Sequence, residues 1–172
     1  MHRLIFVLLM VLAACAKPAP TRLSFRDAGL SLYSNAVFER DRMFGDWVQV
    51  AAFAPSNAGG CHAGTARFAP QGDRVALQAN LCLSGEAVAY TGVVSFIEAG
   101  RMVLSGADPA GIGQEWWVVW VDVDYRTMVI GTPSGDFGFI LNRDGRLPAD
   151  RLAAAREILE WNGYNLAKLR NF

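Results

Sequence analysis

The 172-residue chain is poor in the side chains that carry catalysis, with two histidines and three cysteines. It contains no GxSxG elbow, no HExxH pair and no glycine-rich phosphate loop, so no nucleophile with its base and no phosphate cradle is in view. Asp122 and Asp124 end a strand-like run, and Ser134 and Asp136 sit in the turn cluster "TPSGD", which is how turns ordinarily read. The chain is therefore expected not to be an enzyme and to use no cofactor. No CxxC pair exists, and His62 is the single histidine outside the first 14 residues, so no metal site is expected. Acidic and basic side chains balance at 16 each, without a basic cluster, which removes the electrostatic footprint of nucleic-acid binding. The apolar run from Leu4 to Leu12 is too short to span a bilayer. No alternation of strands with helices appears, which excludes a parallel sheet.

That short apolar run follows Arg3 and precedes small residues, the arrangement of an export signal over residues 1–14. Leu12-Ala13-Ala14-Cys15 resembles the bacterial lipobox. The resemblance implies that Cys15 becomes the N-terminus and receives acyl chains such as palmitate, two of which suffice for stable membrane anchoring. A plain secretory signal ahead of an unmodified cysteine is the alternative. Ala16 lacks the aspartate associated with inner-membrane retention, so the resemblance implies the periplasmic side of the outer membrane. Residues 15–35, with Pro18 and Pro20 and no apolar period, are expected to be the lipidated N-terminus and a tether. Residues 36–172 are expected to form the folded domain.

Export implies an oxidising compartment. Between Cys61 and Cys82, the cluster "APQGDR" separates two strand-like runs. A four-residue loop at Pro70-Gln71-Gly72-Asp73 would pair Ala69 with Arg74, and the same register sets Cys61 opposite Cys82 as a disulfide. Alternation then points Val75, Leu77, Ala79 and Leu81 one way. It places the bridge on the opposite, more polar face.

Further strand-like runs lie in "DWVQVAAF", "AVAYTGVVSF", "RMVLSG", "EWWVVWVDV", "TMVIGT" and "FGFILNR". About eight strands at short spacing predict a sandwich or a closed barrel. One helix follows in "LPADRLAAAREILEWNG", opened by Pro148 and stopped by Gly163, with Leu152, Ala155, Ile158, Leu159 and Asn162 on one face. "WWVVWV" is apolar on both faces, which fits a strand that lines the interior and is covered outside by the helix. Trp116, Val118 and Trp120 are then expected inside, and Trp117, Val119 and Val121 under the helix or against a second copy of the chain.

"GDWVQVAAF", with Gly45 and Trp47, resembles the first signature of the lipocalins; "VDYR" resembles the second and "ILNR", ending at Arg143, the third. With the lipobox, the closing helix and "GYNLAKL", the pattern over roughly residues 35–170 is similar to the bacterial outer-membrane lipoprotein lipocalins. The resemblance implies an all-β fold, an eight-stranded antiparallel up-and-down barrel with one C-terminal α-helix packed outside and a final short strand. It also implies that Arg143 lies across Trp47 and shuts one end. Strand alternation from Trp47 puts Gln49, Ala51 and Phe53 inside, and with them Ala66, Phe68, Val75, Leu77, Leu81, Tyr90, Val94, Phe96, Met102, Leu104, Trp116, Val118, Trp120, Phe137, Phe139 and Leu141. Such an apolar lining suits a ligand with a hydrocarbon body, and the resemblance implies transport of a fatty acid or a lysophospholipid. Gln49, His62, Tyr90 and Asp122 are the candidates for its polar head. A solid, ligand-free barrel, a barrel-type periplasmic protease inhibitor and a structural envelope lipoprotein remain the alternatives.

Overall fold

The computed structural model describes residues 23–106 and 112–172. Nine antiparallel strands form one sheet: β1 (Gly45–Phe53), β2 (Thr65–Gln71), β3 (Arg74–Leu83), β4 (Glu86–Glu98), β5 (Arg101–Ser105), β6 (Trp116–Val121), β7 (Thr127–Gly131), β8 (Gly138–Asn142) and β9 (Leu169–Asn171). Each of β2 to β8 pairs with the next, β8 pairs with β1, and β1 pairs with β2, which closes an eight-stranded up-and-down barrel. The first half of β1, Gly45 to Val48, pairs with β2, and its last residues, Ala51 to Phe53, pair with β9. The final strand thus takes over the edge that β2 leaves, and no backbone of β1 is stranded there.

The β2–β3 hairpin is tighter than the sequence suggests. Gln71 pairs with Arg74, and the turn is the two residues Gly72 and Asp73, with Gly72 at a φ of 63° that favours glycine. The expected register of Ala69 with Arg74 is therefore displaced by two residues, which preserves every side chain's face because the pleat repeats every two. Cys61 lies ahead of β2 rather than within it, and it is nevertheless bonded to Cys82 across a Cα separation of 5.7 Å. The loop between β1 and β2 is stapled to β3 there.

Two irregularities correct the predicted faces. In β1 the register with β8 shifts between Gln49 and Ala51, and in β6 the register with β7 shifts between Val118 and Trp120. Each is a β-bulge, whose extra residue bends the strand and reverses the alternation beyond it. Ala51 and Phe53 consequently lie outside the barrel and Ala52 inside; Trp120 lies outside and Val121 inside. Phe53 and Trp120 are thus removed from the predicted lining, and Val121 from the predicted outer surface.

The outer apolar cluster is what the helix covers. Helix α1 (Ala149–Trp161) lays Ala155 and Leu159 over Val119 and Val129, with Trp117, Trp120, Leu152 and Ile158 packed at the margin. Trp117 is also covered by Arg101, whose guanidinium lies 3.9 Å from the ring centroid. The doubly apolar β6 therefore has the cause expected from the sequence, with Trp120 in the place of Val121. Under the first turn of α1, Arg151 donates to Thr127 Oγ1 and Asn142 Oδ1 at 2.7 and 3.0 Å, which satisfies buried oxygens and fixes where the helix starts. At its other end Gly163 and Tyr164 donate to the carbonyls of Glu160 and Leu159, a Schellman closure. That closure turns Tyr164 inward, where its hydroxyl accepts from Thr132 N at 2.8 Å and donates to Phe137 O at 3.0 Å.

Residues 23–35 are no free tether. Phe25 is 3% exposed in the outer cluster, and Arg26 is 8% exposed, donating to the carbonyls of Asn162, Pro133 and Leu30. The strap was invisible to periodicity because one aromatic and one arginine, rather than a repeating stripe, hold it down. Cys15 and the predicted signal lie outside the described residues. Because Phe53 packs against Tyr164 at 4.8 Å and Phe25 at 5.8 Å, Phe53→Ala is expected to lower unfolding free energy by about 3–5 kcal/mol. Chemical denaturation reads that loss, and any affinity for a ligand inside the barrel should remain unchanged in the same variant.

Candidate functional site: the barrel interior and its two ends

One end of the barrel is shut by a single guanidinium. Arg143 lies 3.8 Å from the centroid of the Trp47 ring and donates to the carbonyls of Tyr125, Asp46 and Arg42 at 3.2, 3.1 and 2.9 Å. Those carbonyls belong to the β6–β7 turn, to β1 and to the 3-10 turn Arg40–Met43, so one side chain ties three segments. The Trp47 indole donates to Met43 O at 2.7 Å, which draws the 3-10 turn across the opening. Gly45 has a φ of 105°, and a Cβ there would sit 3.0 Å from Arg143 Nη1, so both the backbone angle and the crowding require glycine. Burial lowers the pKa of Arg143, with Asp46 opposing it; the group stays cationic. Gly45, Trp47 and Arg143, far apart in sequence, thus meet as a plug.

The neighbouring β6–β7 turn is built around Asp122. Its carboxylate accepts from Arg126 N and Thr127 N, both at 2.6 Å, and from Arg126 Nε at 3.0 Å. Burial alone would raise the carboxyl pKa, but the Thr127 and Arg126 hydrogen bonds together with the Arg126 charge outweigh it and hold it below the ordinary value. Tyr125 takes a φ of 56°, and its hydroxyl accepts from Glu39 N at 2.6 Å. Its ring is covered by the Arg42 guanidinium at 4.1 Å. "VDYR" is therefore part of the plug, and Asp122 is committed there and unavailable to a head group.

Between the ends, the interior is apolar. Phe68, Val75, Leu77, Leu81, Tyr90, Met102, Leu104, Trp116, Val118, Phe137 and Phe139 lie in one buried cluster, with Phe96 partly buried beside it. The aromatic group inside is formed by Trp116, Phe137 and Phe139, with centroids 5.2 to 6.3 Å apart. Sequence alternation missed Met128 and Ile130 of β7, because "TMVIG" is apolar at every position, and Ala52 and Val121, which the bulges turn inward. It also missed Phe38, Met43 and Tyr125, which form the floor from segments outside the strands. Polar groups facing inward are already bonded. Gln49, fully buried, donates from Nε2 to Cys82 O at 2.9 Å and accepts from Cys82 N at 2.7 Å. Its carboxamide imitates the peptide that β2 would have presented to β3 beyond Gly64. Tyr90 donates to Ser105 O at 2.6 Å, burial raising its pKa more than that bond lowers it. Thr132 Oγ1 donates to Phe137 O at 3.1 Å.

The opposite end is held differently. Ile112 is fully buried in the interior cluster and accepts from the Trp116 indole at 2.9 Å, so the β5–β6 connection turns back over the opening. Around it the contacts run between side chains and loops: Ser84 Oγ donates to Asp136 O at 2.6 Å, Ser134 Oγ to Gln114 Oε1, and Gln114 Nε2 to Asp136 Oδ2 at 3.4 Å. His62 is exposed there; it lines a surface cleft of about 620 Å³ between the β1–β2 loop and the β3–β4 hairpin. One end is therefore locked by a buried cation on three carbonyls, and the other by hydrogen bonds at a solvated rim.

Two expectations follow for the plug. Lysine cannot reproduce the fork on three carbonyls or stack on the indole, so Arg143→Lys is expected to lower unfolding free energy by about 1–3 kcal/mol in denaturant titration. Asp122 has a folded pKa below its unfolded one, so its stabilisation is complete above the ordinary value of 3.8 and lost as pH falls through the lower folded value. In acid titrations of thermal stability, Asp122→Asn should therefore lose stability relative to the parent at neutral pH, the gap narrowing below that value.

No curated protein matches the sequence. Among solved structures, lobster apocrustacyanin A1 superposes with a TM-score of 0.62 at 13% identity, over 88% of this chain and 91% of that one. The siderocalin Ex-FABP, described as functioning through dual ligand specificities, superposes with a TM-score of 0.55 at 15% identity, over 74% and 91%. At such identities the likeness is one of fold. The family model of the lipocalin-like domain matches residues 38–172, from the floor residue Phe38 through the plug, the helix and the closing strand, and the chain belongs to that family.

Proposed function

We propose that this protein is a carrier that holds a small hydrophobic ligand of the fatty acid or lysophospholipid class inside the barrel. Acyl chains on Cys15 anchor it at the periplasmic side of the outer membrane. The observation that carries this reading is the asymmetry of the apolar interior, sealed at one end by Arg143 on Trp47 and closed at the other by side-chain hydrogen bonds at the rim. A hydrocarbon body enters where those rim bonds part. Replacing a solvated hydrogen bond by one to water costs little, whereas opening the plug would strip a buried guanidinium of three acceptors.

The same geometry specifies how recognition works. Gln49, Tyr90 and Thr132 are occupied by backbone partners, so the interior offers the ligand apolar contact and the head group stays at the rim beside His62. Affinity then follows the length of the hydrocarbon, at about 0.8 kcal/mol for each buried CH₂, and depends little on head-group charge.

The test is a displacement titration of a fluorescent fatty acid from the delipidated Cys15→Ser chain, with a series of acyl lengths as competitors. Saturable binding in the micromolar range or tighter, strengthening with chain length, is the expected result. A folded chain that shows no saturable binding would remove the proposal. If that chain instead inhibits a secreted protease tightly, the barrel-type inhibitor takes its place.

A further inference from the structure

The first described residue, Leu23, lies at the rim. Ser24 Oγ donates to Ser134 O at 2.9 Å, and Phe25 N donates to Gly135 O at 2.8 Å. Both acceptors belong to the β7–β8 loop, whose Asp136 and Phe137 form part of the hydrogen-bonded opening. The buried Arg26 fixes that position through Asn162 O and Pro133 O. Eight Cα steps separate Cys15 from Leu23, and a chain of that length reaches at most about 28 Å even when fully extended. An anchor on Cys15 therefore holds the rim, and not the plugged end, close to the bilayer.

Around that exit point the protein exposes large apolar side chains. Trp161 is 65% exposed, Tyr33 54%, Leu23 52% and Leu30 50%. They form one surface about the end of α1: the rings of Tyr33 and Trp161 stack at 5.1 Å, Tyr33 N donates to Asn162 Oδ1 at 2.9 Å, and Leu30 lies over Gly163. The helix runs from Arg151, beside the plugged half at Thr127 and Asn142, to Tyr164, which bonds Thr132 at the rim. The aromatic pair is thus carried at the anchored end. Trp and Tyr are the side chains that favour the bilayer interface, with an apolar body and a polar edge. The charges nearby, Asp27, Glu160 and Lys168, are of mixed sign and select no anionic head group.

We infer that the face made by Leu23, Leu30, Tyr33 and Trp161 docks on the lipid bilayer that holds the Cys15 acyl chains, so that the hydrogen-bonded rim of the barrel opens at the membrane surface. The inference rests on the anchoring read from Cys15. Docking is driven by apolar contact, made strong by tethering, because a tethered face meets the bilayer at high effective concentration. A ligand with a hydrocarbon body would then pass between bilayer and barrel without crossing bulk water.

The test uses the full lipidated protein in vesicles of phosphatidylethanolamine and phosphatidylglycerol with brominated acyl chains. Emission of Trp161 is isolated as the difference between the parent and Trp161→Phe, a surface substitution that leaves the fold intact. Bromine is expected to quench that difference on the order of twofold, with a blue shift and independently of salt and of the phosphatidylglycerol content. Co-flotation of the protein with vesicles while Trp161 remains unquenched and open to aqueous acrylamide overturns the docking and leaves the anchor standing. Absence of acylation and of co-flotation overturns both.

Discussion

The positively charged face of Arg143 on the Trp47 ring, with its N–H groups spread over three backbone carbonyls, is the constraint from which the architecture follows. A barrel of eight strands has two open ends, and each would let water reach an apolar interior. Arg143 removes that problem at one end by joining the 3-10 turn, β1 and the β6–β7 turn in a single hydrogen-bonded centre. Gly45 is required by its proximity, Met43 is drawn over the opening by the indole of Trp47, and Tyr125 completes the floor. Because this end is committed to closure, exchange with the surroundings is left to the other.

The two β-bulges distribute apolar side chains between two separate clusters. Without them, Phe53 and Trp120 would crowd the interior, and the outer face would lose the aromatic ring against which Phe25 and Tyr164 pack. The bulges turn both outward, and the barrel acquires a second core under the helix and the N-terminal strap. That second core in turn reaches the rim, since Tyr164 and Arg26 bond to Thr132 and Pro133 beside the β7–β8 loop. Stability of the outer layer and the shape of the opening are thus linked through the same few residues.

Much of this was legible in the amino-acid order. Strand runs separated by turn residues gave the barrel, Cys61 and Cys82 gave the staple, and the separated Gly45, Trp47 and Arg143 gave the plug. The strap escaped because Phe25 and Arg26 show no period, and Gln49 escaped as a peptide mimic because its partner, the backbone of Cys82, has no signature in a sequence. Alternation also failed wherever a strand was apolar at every position, as in β7, where both parities look equally suited to the inside.

By itself the sequence determined the class of fold, the order of its strands, the residues that shut one end and the apolar character of what lies between, since each depends on residue type at short spacing or on a pairing of unusual side chains. Only the tertiary structure decided which faces are inward beyond Gln49 in β1 and Val118 in β6, and at which end the N-terminal segment leaves the barrel. A bulge is set by how neighbouring strands must bend to close a cylinder, and the exit point by where a buried arginine finds its carbonyls. Both are properties of the closed sheet that no local stretch of chain carries.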